Sequence, residues 1–495
     1  MEKNFTSLDD YNNGFLGGEQ EGAAELLKAM QAGQITGRDT ADQALTVEPL
    51  KAESLEKTLK LLEFRTQDIR LLNAMPKMVA YNTVEEFLQL KSYGTDRGGF
   101  YNEGELSDVE DSTYVRRAEL IKYIQVTGEI TMQAQMVRTN FIDVYRKEVE
   151  NKTMWIMRRA NTSLTKADAE IIPQEFNGLY KQHANIGTGG NDFLYSSLEE
   201  YFNAAVVVDL RGKSLTQKNV EDAAVTVDNG FGTPTDLFGP NTVISALMQD
   251  YFNSQRIVMP SGGFNGVIGT VVQAIDTSIN KIKLNSDKFM KNDPARTTAD
   301  NATSAKAPAA PVAVGVTVTA DALSKLRTGE NGTVYYAISS VNRYGESALT
   351  LISGSAVTLA VGSSVDLQFT QGAGANPTSG YKIYRTKVTS AGSATGLQFY
   401  PIFKVSTSQL TAGYDGGAAG KIRDRHRFLP GLEQAFLTQM DDEVLSFKQL
   451  APISKLDLAV ISMSRRFIAF NFCTPQMYAP KKFVRFINAS PVLAS

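Results

Sequence analysis

The chain has 495 residues, of which 42% are hydrophobic and 21% are charged, a composition typical of proteins with packed cores. Its length predicts about two to four domains. The 50 basic and 53 acidic residues leave a net charge of −3, which excludes an overall field that would draw the chain onto nucleic acid or an anionic membrane. The single cysteine, Cys473, excludes a disulfide within the chain, and its position beside Phe470 and Phe472 favours a small core residue over a reactive thiol.

Targeting signals are not evident. The polar, acidic N-terminus lacks a basic region followed by an apolar stretch, so we expect no signal peptide. No apolar run approaches the roughly 20 residues that a membrane span needs. We therefore expect no membrane partner.

Catalytic and metal-binding signatures are also missing. The only histidines, His183 and His426, have no companion at ligand spacing, and no CxxC pair occurs. The run 212–214, Gly-Lys-Ser, ends like a phosphate loop, but Val207 stands where that loop needs a glycine. The sequence therefore predicts no catalytic, cofactor-binding or metal-binding residues and disfavours an enzyme.

The first 76 residues are predicted to form an arm with short helices. Apolar side chains recur at helical spacing over 19–30 and 54–62. The arm has too few of them for its own core. We expect it to lie on another surface, such as a neighbouring subunit.

A long hairpin is predicted next. One strand is expected over 79–90, and the return strand over 124–136, where apolar and polar side chains alternate strictly. The connection 94–112 is rich in glycine and acid, and it has no evident partner within its own subunit. The charged residues in and after it are Asp96, Arg97, Glu103, Glu105, Asp108, Glu110, Asp111, Arg116 and Arg117.

A long helix is predicted over 140–160, around Trp155, the only tryptophan. It is basic overall, with Arg146, Arg158 and Arg159 among its charged residues. Two interpretations remain open for these side chains. They form a solvated face with their stems lying along apolar surface, or they contact acidic segments of neighbouring subunits.

Residues 170–290 have an α/β pattern. The segment 201–210 fits a buried strand or part of a helix, a threonine-capped helix is expected over 216–225, and a further helix opens at Pro240. Strands are expected over 267–275 and 279–284. After residue 423 further strands are expected over 435–437, 445–450, 457–463, 467–472 and 481–488.

The composition changes between these two α/β stretches. Residues 292–310 have almost no large apolar side chains and predict a flexible linker. Short strands then recur every 8 to 12 residues up to residue 414, which is typical of a β-sandwich. A second glycine-rich linker is expected over 413–420. Linkers on both sides indicate an inserted domain.

The order of these elements resembles the tailed-bacteriophage major capsid fold. Local similarity is carried by Tyr-Val-Arg-Arg at 114–117, Phe-Asn-Gly-Leu at 176–179 and Asp-Leu-Phe-Gly-Pro at 236–240. The resemblance implies an α+β fold with an N-terminal arm, an E-loop, a P-domain with a spine helix, and an A-domain. The corresponding boundaries are 1–76 for the arm, 77–137 for the E-loop hairpin, 138–200 for the P-domain, 201–307 for the A-domain, 308–422 for the insertion and 423–495 for the remaining strands.

The inserted segment resembles fibronectin type III and related immunoglobulin-like (Ig-like) domains. The similarity lies in Tyr-Tyr-Ala-Ile-Ser-Ser-Val-Asn at 335–342, the turn at 344–347 and Gly-Tyr-Lys-Ile-Tyr-Arg at 380–385. The cysteine pair of antibody domains is absent. The resemblance indicates the fold and not a ligand.

Together these resemblances imply a virion subunit that assembles in the host cytoplasm into hexamers and pentamers of an icosahedral head. The head would enclose double-stranded DNA without sequence-specific binding, without a cofactor, and with scaffolding, portal and decoration proteins as further partners. We expect the hairpin to extend over a neighbouring subunit, with the charged residues of its tip and of the spine helix at the contact. We also expect the inserted domain to project outward and to be dispensable for folding of the rest.

Two alternatives remain. Within the structural class, an encapsulin-like compartment or another virion structural protein fits the same elements. From another class, an enzyme with an Ig-like surface- or carbohydrate-binding module would need a catalytic constellation, which the sequence does not present.

Overall fold

The computed structural model describes residues 63–94, 99–136, 143–186, 194–254, 274–352, 354–460 and 462–491. The helices predicted at 19–30 and 54–62 lie outside the described residues, as does most of the strand predicted at 267–275. The described helices are α1 (Leu71–Ala74), α2 (Met132–Met136), α3 (Val144–Lys166), α4 (Leu179–Ala184), α5 (Leu198–Asn203), α6 (Gln217–Asn229), α7 (Asn241–Ser254) and α8 (Thr407–Ala412), with 3-10 turns at Thr66–Asp68, Lys288–Met290 and Pro480–Lys482.

The strands fall into three groups along the chain. Those before residue 300 are β1 (Lys77–Val79), β2 (Val84–Ser92), β3 (Thr113–Leu120), β4 (Lys122–Thr131), β5 (Val207–Asp209), β6 (Asp236–Gly239), β7 (Ala274–Asp276) and β8 (Lys281–Ser286). The next are β9 (Val312–Ala320), β10 (Gly332–Val334), β11 (Tyr336–Asn342), β12 (Gly345–Glu346), β13 (Thr350–Leu351), β14 (Val357–Leu359), β15 (Ser363–Thr370), β16 (Gly380–Arg385), β17 (Tyr400–Ser406) and β18 (Lys421–Asp424). The last are β19 (Glu433–Thr438), β20 (Leu445–Asp457), β21 (Ser464–Met477) and β22 (Phe483–Ala489).

A four-stranded sheet, in the order β1-β20-β21-β4, packs against the long helix α3. The alternation predicted from the sequence is present in β4, where Gly128 and Ile130 are buried and the side chains between and beyond them are exposed. Ala160 and Leu164 of α3 are buried in the core on the covered side. Apolar burial on this scale contributes roughly 1.5–3 kcal/mol for each large side chain.

The helix α3 begins where its sequence provides a cap. A carboxylate oxygen of Asp143 accepts the backbone N–H of Tyr145 at 3.0 Å, and this bond satisfies one of the donors that a helix start leaves free. The helix was predicted at 140–160 and is observed at Val144–Lys166. Its existence is therefore confirmed, with an end about two turns later than expected.

A six-stranded sheet, in the order β5-β22-β19-β6-β8-β7, forms the second layer of the α/β body. Its core includes side chains of both α6 and α7, such as Val220, Val227 and Leu247. The Thr216 hydroxyl accepts the N–H of Asn219 at 3.4 Å and caps α6 as predicted. The ambiguous segment 201–210 contains both alternatives, because α5 ends at Asn203 and β5 begins at Val207.

The hairpin pairs differently from the sequence prediction. Its ladder joins β2 to β3, so the return strand is Thr113–Leu120 and the ladder reaches from Val84 opposite Leu120 to Ser92 opposite Thr113. The strand predicted as the return strand, β4, pairs with β21 instead. That prediction was wrong because a period of two shows that a strand has two different faces and does not identify its neighbour.

Residues 312–424 contain two facing sheets. One has the order β18-β15-β9 and the other β12-β11-β16-β17, with β13 also beside β11. Their inner faces share one core, which contains Val365 and Leu367 from the first sheet and Tyr336, Ile338 and Ile383 from the second. This arrangement is a β-sandwich, as the spacing of the short strands predicted.

The segment predicted as a flexible linker, 292–310, is held by hydrogen bonds. The backbone of Arg296 pairs with that of Phe399, the N–H of Asn292 donates to Glu433 at 2.8 Å, and the amide of Asn342 donates to the carbonyl of Lys306 at 3.0 Å. The prediction of flexibility was wrong because a shortage of apolar side chains does not prevent polar side chains from ordering a segment. The strand predicted at 457–463 is also corrected, since β20 ends at Asp457.

Candidate subunit interface

The hairpin carries large apolar side chains that its own chain leaves uncovered. Phe100 is 99% exposed and Leu106 and Val109 are each 90% exposed in the connection between β2 and β3. Leu88 and Tyr114 are likewise exposed on the strands themselves. A concentration of exposed large apolar side chains in one hairpin is typical of a site of protein association.

A second apolar surface lies at the far end of the four-stranded sheet. Leu456, Val460 and Met463 are exposed in and beside the connection between β20 and β21, and Met136 is exposed at the end of α2. The N–H of Met132 donates to the carbonyl of Met463 at 2.9 Å and keeps these two segments together. The hairpin and this sheet end are therefore two separate candidate contact surfaces.

The acidic residues predicted for the hairpin tip are solvent-facing where the structure describes them. Asp96 and Arg97 lie outside the described residues. Among the others, the Glu105 carboxylate accepts the backbone N–H of Asn102 at 2.9 Å. Residues of the predicted set that are exposed in the tip are Glu103, Glu105, Asp108, Glu110 and Asp111.

The basic residues predicted for the contact have partners within their own chain. Arg116 pairs with Glu86 across the hairpin, and Arg159 pairs with Glu175. Arg146 lies 3.9 Å from Glu150 one helical turn away. Arg158 sits over the ring of Phe64, and Arg117 lines a cavity at the base of the hairpin. In the described part of the chain, the ion pairs of Arg116, Arg146 and Arg159 are thus made with carboxylates outside the acidic tip.

The base of the hairpin is anchored by residues that sequence reasoning did not single out. The Gln476 amide donates to the carbonyl of Glu85 at 3.3 Å, and the Gln89 amide donates to the carbonyl of Tyr478. The ring of Phe87 packs against that of Tyr478. No local pattern could have identified them, because the partners are almost 400 positions apart in the chain.

One anchoring carboxylate is electrostatically unusual. Glu119 on β3 accepts the side-chain amide of Asn177 at 3.3 Å. Burial raises the pKa of Glu119 to about 7, although Asn177, Arg117 and Lys122 oppose the shift. The charge on this carboxyl therefore changes within the range of ordinary experimental pH.

Ion pairs join the β-sandwich to the α/β body. Lys325 lies 3.0 Å from Glu199 and Arg211 lies 2.7 Å from Glu330. Arg427, which follows the sandwich in the chain, lies 2.9 Å from Glu199 and 3.0 Å from Asp415. The guanidinium of Arg211 also donates to the carbonyl of His426 at 2.8 Å. The side chains of Arg211 and Arg427 are almost fully buried, so removing one partner would leave a buried charge with less compensation.

The two histidines and the cysteine, residue types that often take part in catalysis or metal binding, are buried in this chain. Burial lowers the pKa of His183 to about 3 and that of His426 to about 4, and it raises the pKa of Cys473 to about 12. Within the described ranges no set of three histidine, cysteine or carboxylate side chains is placed to hold a metal ion. None of the described helices combines the length and the apolar character required to cross a bilayer.

Sequence comparison gives relatives over almost the entire chain. The major capsid protein of Staphylococcus phage K is 23% identical over 473 residues, covering 94% of each chain. The putative major capsid protein of Enterococcus phage phiEF24C is 22% identical over 470 residues, again covering 94% of each. No family model matches the chain.

Among solved structures, the capsid of the native GTA particle aligns with 91% of this chain and 100% of its own at 8% identity and a TM-score of 0.44. The holo-SrpI encapsulin complex from Synechococcus elongatus PCC 7942 aligns with 91% and 97% at 8% identity and a TM-score of 0.41. The assignment rests on the sequence relatives. They define the chain as a structural protein of the virion. Its role is that of a phage major capsid protein, the shell subunit of the head.

Proposed function

We propose that copies of the chain assemble through the β2–β3 hairpin, which lies over a neighbouring copy, into hexamers and pentamers of an icosahedral head. The observation that carries this proposal is the near-complete exposure of Phe100, Leu106 and Val109 at the hairpin tip. A subunit that met no copy of itself would leave these side chains in water, at a cost of roughly 1.5–3 kcal/mol each relative to burial.

The head encloses double-stranded DNA as a container in this proposal. A net charge of −3 does not suit a coat that neutralises phosphates. Assembly takes place in the host cytoplasm, with scaffolding, portal and decoration proteins as further partners. The role is purely structural, without a catalytic step or a cofactor.

A substitution in the hairpin tip tests the proposal. The triple variant Phe100→Ser, Leu106→Ser, Val109→Ser should remain a small species in size-exclusion chromatography, whereas the parent chain forms closed particles visible by electron microscopy. The matched control is Leu323→Ser, Val361→Ser, Val388→Ser, which removes three exposed apolar side chains from the sandwich. Particles from the tip variant in parental yield would refute the proposal.

The charges of the tip set the register of this contact in our proposal. Glu103, Glu105 and Asp108 are exposed, and the side chain of Arg146 is 78% exposed despite its weak pairing with Glu150. Exposed pairs contribute only about 0–1 kcal/mol each, so they select an alignment more than they add strength. Charge reversal at Glu103, Glu105 and Asp108 should impair assembly at low salt. Charge reversal at Arg146 in the same chain should partly restore assembly.

We also propose that residues 308–422 form an Ig-like domain that braces the shell subunit. The two-sheet core supports the domain type, and the buried pairs of Arg211 with Glu330 and of Arg427 with Asp415 support bracing over independent projection. That this domain is dispensable for folding remains an untested prediction, and the same pairs argue against it. Its removal would leave Arg211 and Glu199 of the body without the partners they have on residues 325–330.

A further inference from the structure

A cavity of about 880 Å³ lies where three parts of the chain meet. The hairpin contributes Phe87 and Arg117 to its lining, the end of α3 contributes Lys166, and the sandwich contributes Lys382 and Lys404. The whole lining carries seven cationic side chains and five carboxylates, so cations are in excess. A ligand held there would contact the hairpin base, the long helix and the sandwich at once.

Two of these lysines face each other across neighbouring strands. Lys382 of β16 stands directly opposite Lys404 of β17 in the antiparallel register. Like charges in directly opposed positions destabilise a strand pair. Each ammonium therefore needs its own source of negative charge.

Of these two lysines, only Lys382 forms an ion pair within the described chain. Its ammonium lies 2.5 Å from an oxygen of Asp293 and 3.5 Å from Glu346. The same Asp293 also accepts Lys166 at 3.1 Å. Two cations therefore already share this carboxylate.

Lys404 is the exception. Among the residues that the structure describes, its ammonium forms no hydrogen bond or ion pair, although Asp293 and Glu175 act on it electrostatically. Asp293 is already paired with Lys382 and Lys166, and Glu175 is paired with Arg159. Burial and the neighbouring Lys382 lower the pKa of Lys404. A partly buried ammonium without an ion-pair partner is stabilised when a counter-charge binds to it.

We propose that the Lys404 ammonium binds an oxyanion, a carboxylate or a phosphate, inside this cavity. Two sources have this chemistry: a free phosphate ion, or a carboxylate side chain supplied by the protein itself. Lysine suits either, since its compact ammonium acts as a point charge and does not require bidentate geometry. The proposal is independent of whether the hairpin forms the subunit contact.

The test compares the full-length chain with Lys404→Met, which keeps the apolar stem and removes the charge, and Lys404→Arg, which keeps the charge. The matched control is Lys421→Met, a half-buried sandwich lysine outside the cavity lining. Inorganic phosphate is titrated by calorimetry at constant ionic strength. Melting temperatures of all four proteins are measured without phosphate.

A free-anion site predicts that phosphate binds the parent, Lys404→Arg and Lys421→Met, and binds Lys404→Met at least tenfold more weakly. Phosphate at ten times its dissociation constant should raise the parental melting temperature by about 2 °C. A site filled by a protein carboxylate predicts no phosphate binding and a lower melting temperature for Lys404→Met alone. Equal phosphate affinity in the parent and Lys404→Met overturns the proposal. So does a lack of binding when Lys404→Met melts at or above the parental temperature.

Discussion

The ring of Phe87 meets the ring of Tyr478 edge to face, with 4.9 Å between the ring centroids. Phe87 lies midway along the hairpin strand β2, and Tyr478 directly follows β21 of the four-stranded sheet. The contact therefore fixes the point at which the hairpin leaves the body. The apolar tip beyond that point is presented in a direction that the sheet determines.

Phe87→Ala should loosen the hairpin without unfolding the body. Such an aromatic pair contributes about 0.5–1.5 kcal/mol beyond its area burial. We expect faster hydrogen exchange in residues 84–92 and 113–120 and unchanged exchange in β20 and β21. Leu88→Ala, on the opposite and exposed face of the same strand, is the control. Equal exchange rates in the two variants would show that the ring contact does not anchor the hairpin.

Glu119 should make stability fall as the pH rises from about 5 to 8. Its pKa is raised by burial to about 7, so between its ordinary pKa and 7 the folded chain holds a proton that the unfolded chain has released. Protonated Glu119 stabilises the folded chain fully below the pKa that this carboxyl has in the unfolded chain. This stabilisation, on the order of 1–3 kcal/mol, is lost as the pH rises through 7.

Glu119→Gln should remove this dependence, so its melting temperature should exceed that of the parent at pH 8 more than at pH 5. Glu105→Gln, at an exposed tip position, should follow the parental curve. A constant difference between Glu119→Gln and the parent across this pH range would contradict the assignment.

Gly128→Val should disrupt the sheet beneath α3. Gly128 stands opposite Phe467 in the ladder between β4 and β21, and a Cβ atom at this position would overlap the Phe467 ring. Overpacking of this kind typically costs about 1–3 kcal/mol. Val126→Gly, two positions earlier on the same face, controls for strand propensity. Chemical denaturation should show a larger loss for Gly128→Val, and the reverse order would contradict the steric argument.

Arg427→Met should weaken the joint between the sandwich and the body. The guanidinium lies 2.9 Å from Glu199 and 3.0 Å from Asp415, and removing one member of a buried pair costs about 3–5 kcal/mol. Because Arg425 still lies 2.9 Å from Asp415 and compensates its charge, we expect the free energy of unfolding to fall by about 3 kcal/mol, the lower limit of this range. Calorimetric unfolding checks this value. Arg343→Met, an exposed sandwich arginine, should change it by less than about 0.5 kcal/mol.

Local sequence determined the character of individual elements. The alternation around Gly128 and Ile130 predicted a strand with one covered face, Thr216 predicted the start of α6, and the short strands with intervening turns predicted the sandwich. These features depend on the period of a strand or helix and on capping bonds within a few residues. They can therefore be predicted from a single sequence.

Only the tertiary structure decided which elements are neighbours. It paired β4 with β21 instead of β2, placed Phe87 against Tyr478, ordered the segment 292–310 by polar contacts, and set Lys404 in a cavity between three parts of the chain. Each of these relations joins residues that are distant in sequence. Hydrophobic burial, which is not directional, cannot specify such partners until packing and hydrogen-bond register select among them.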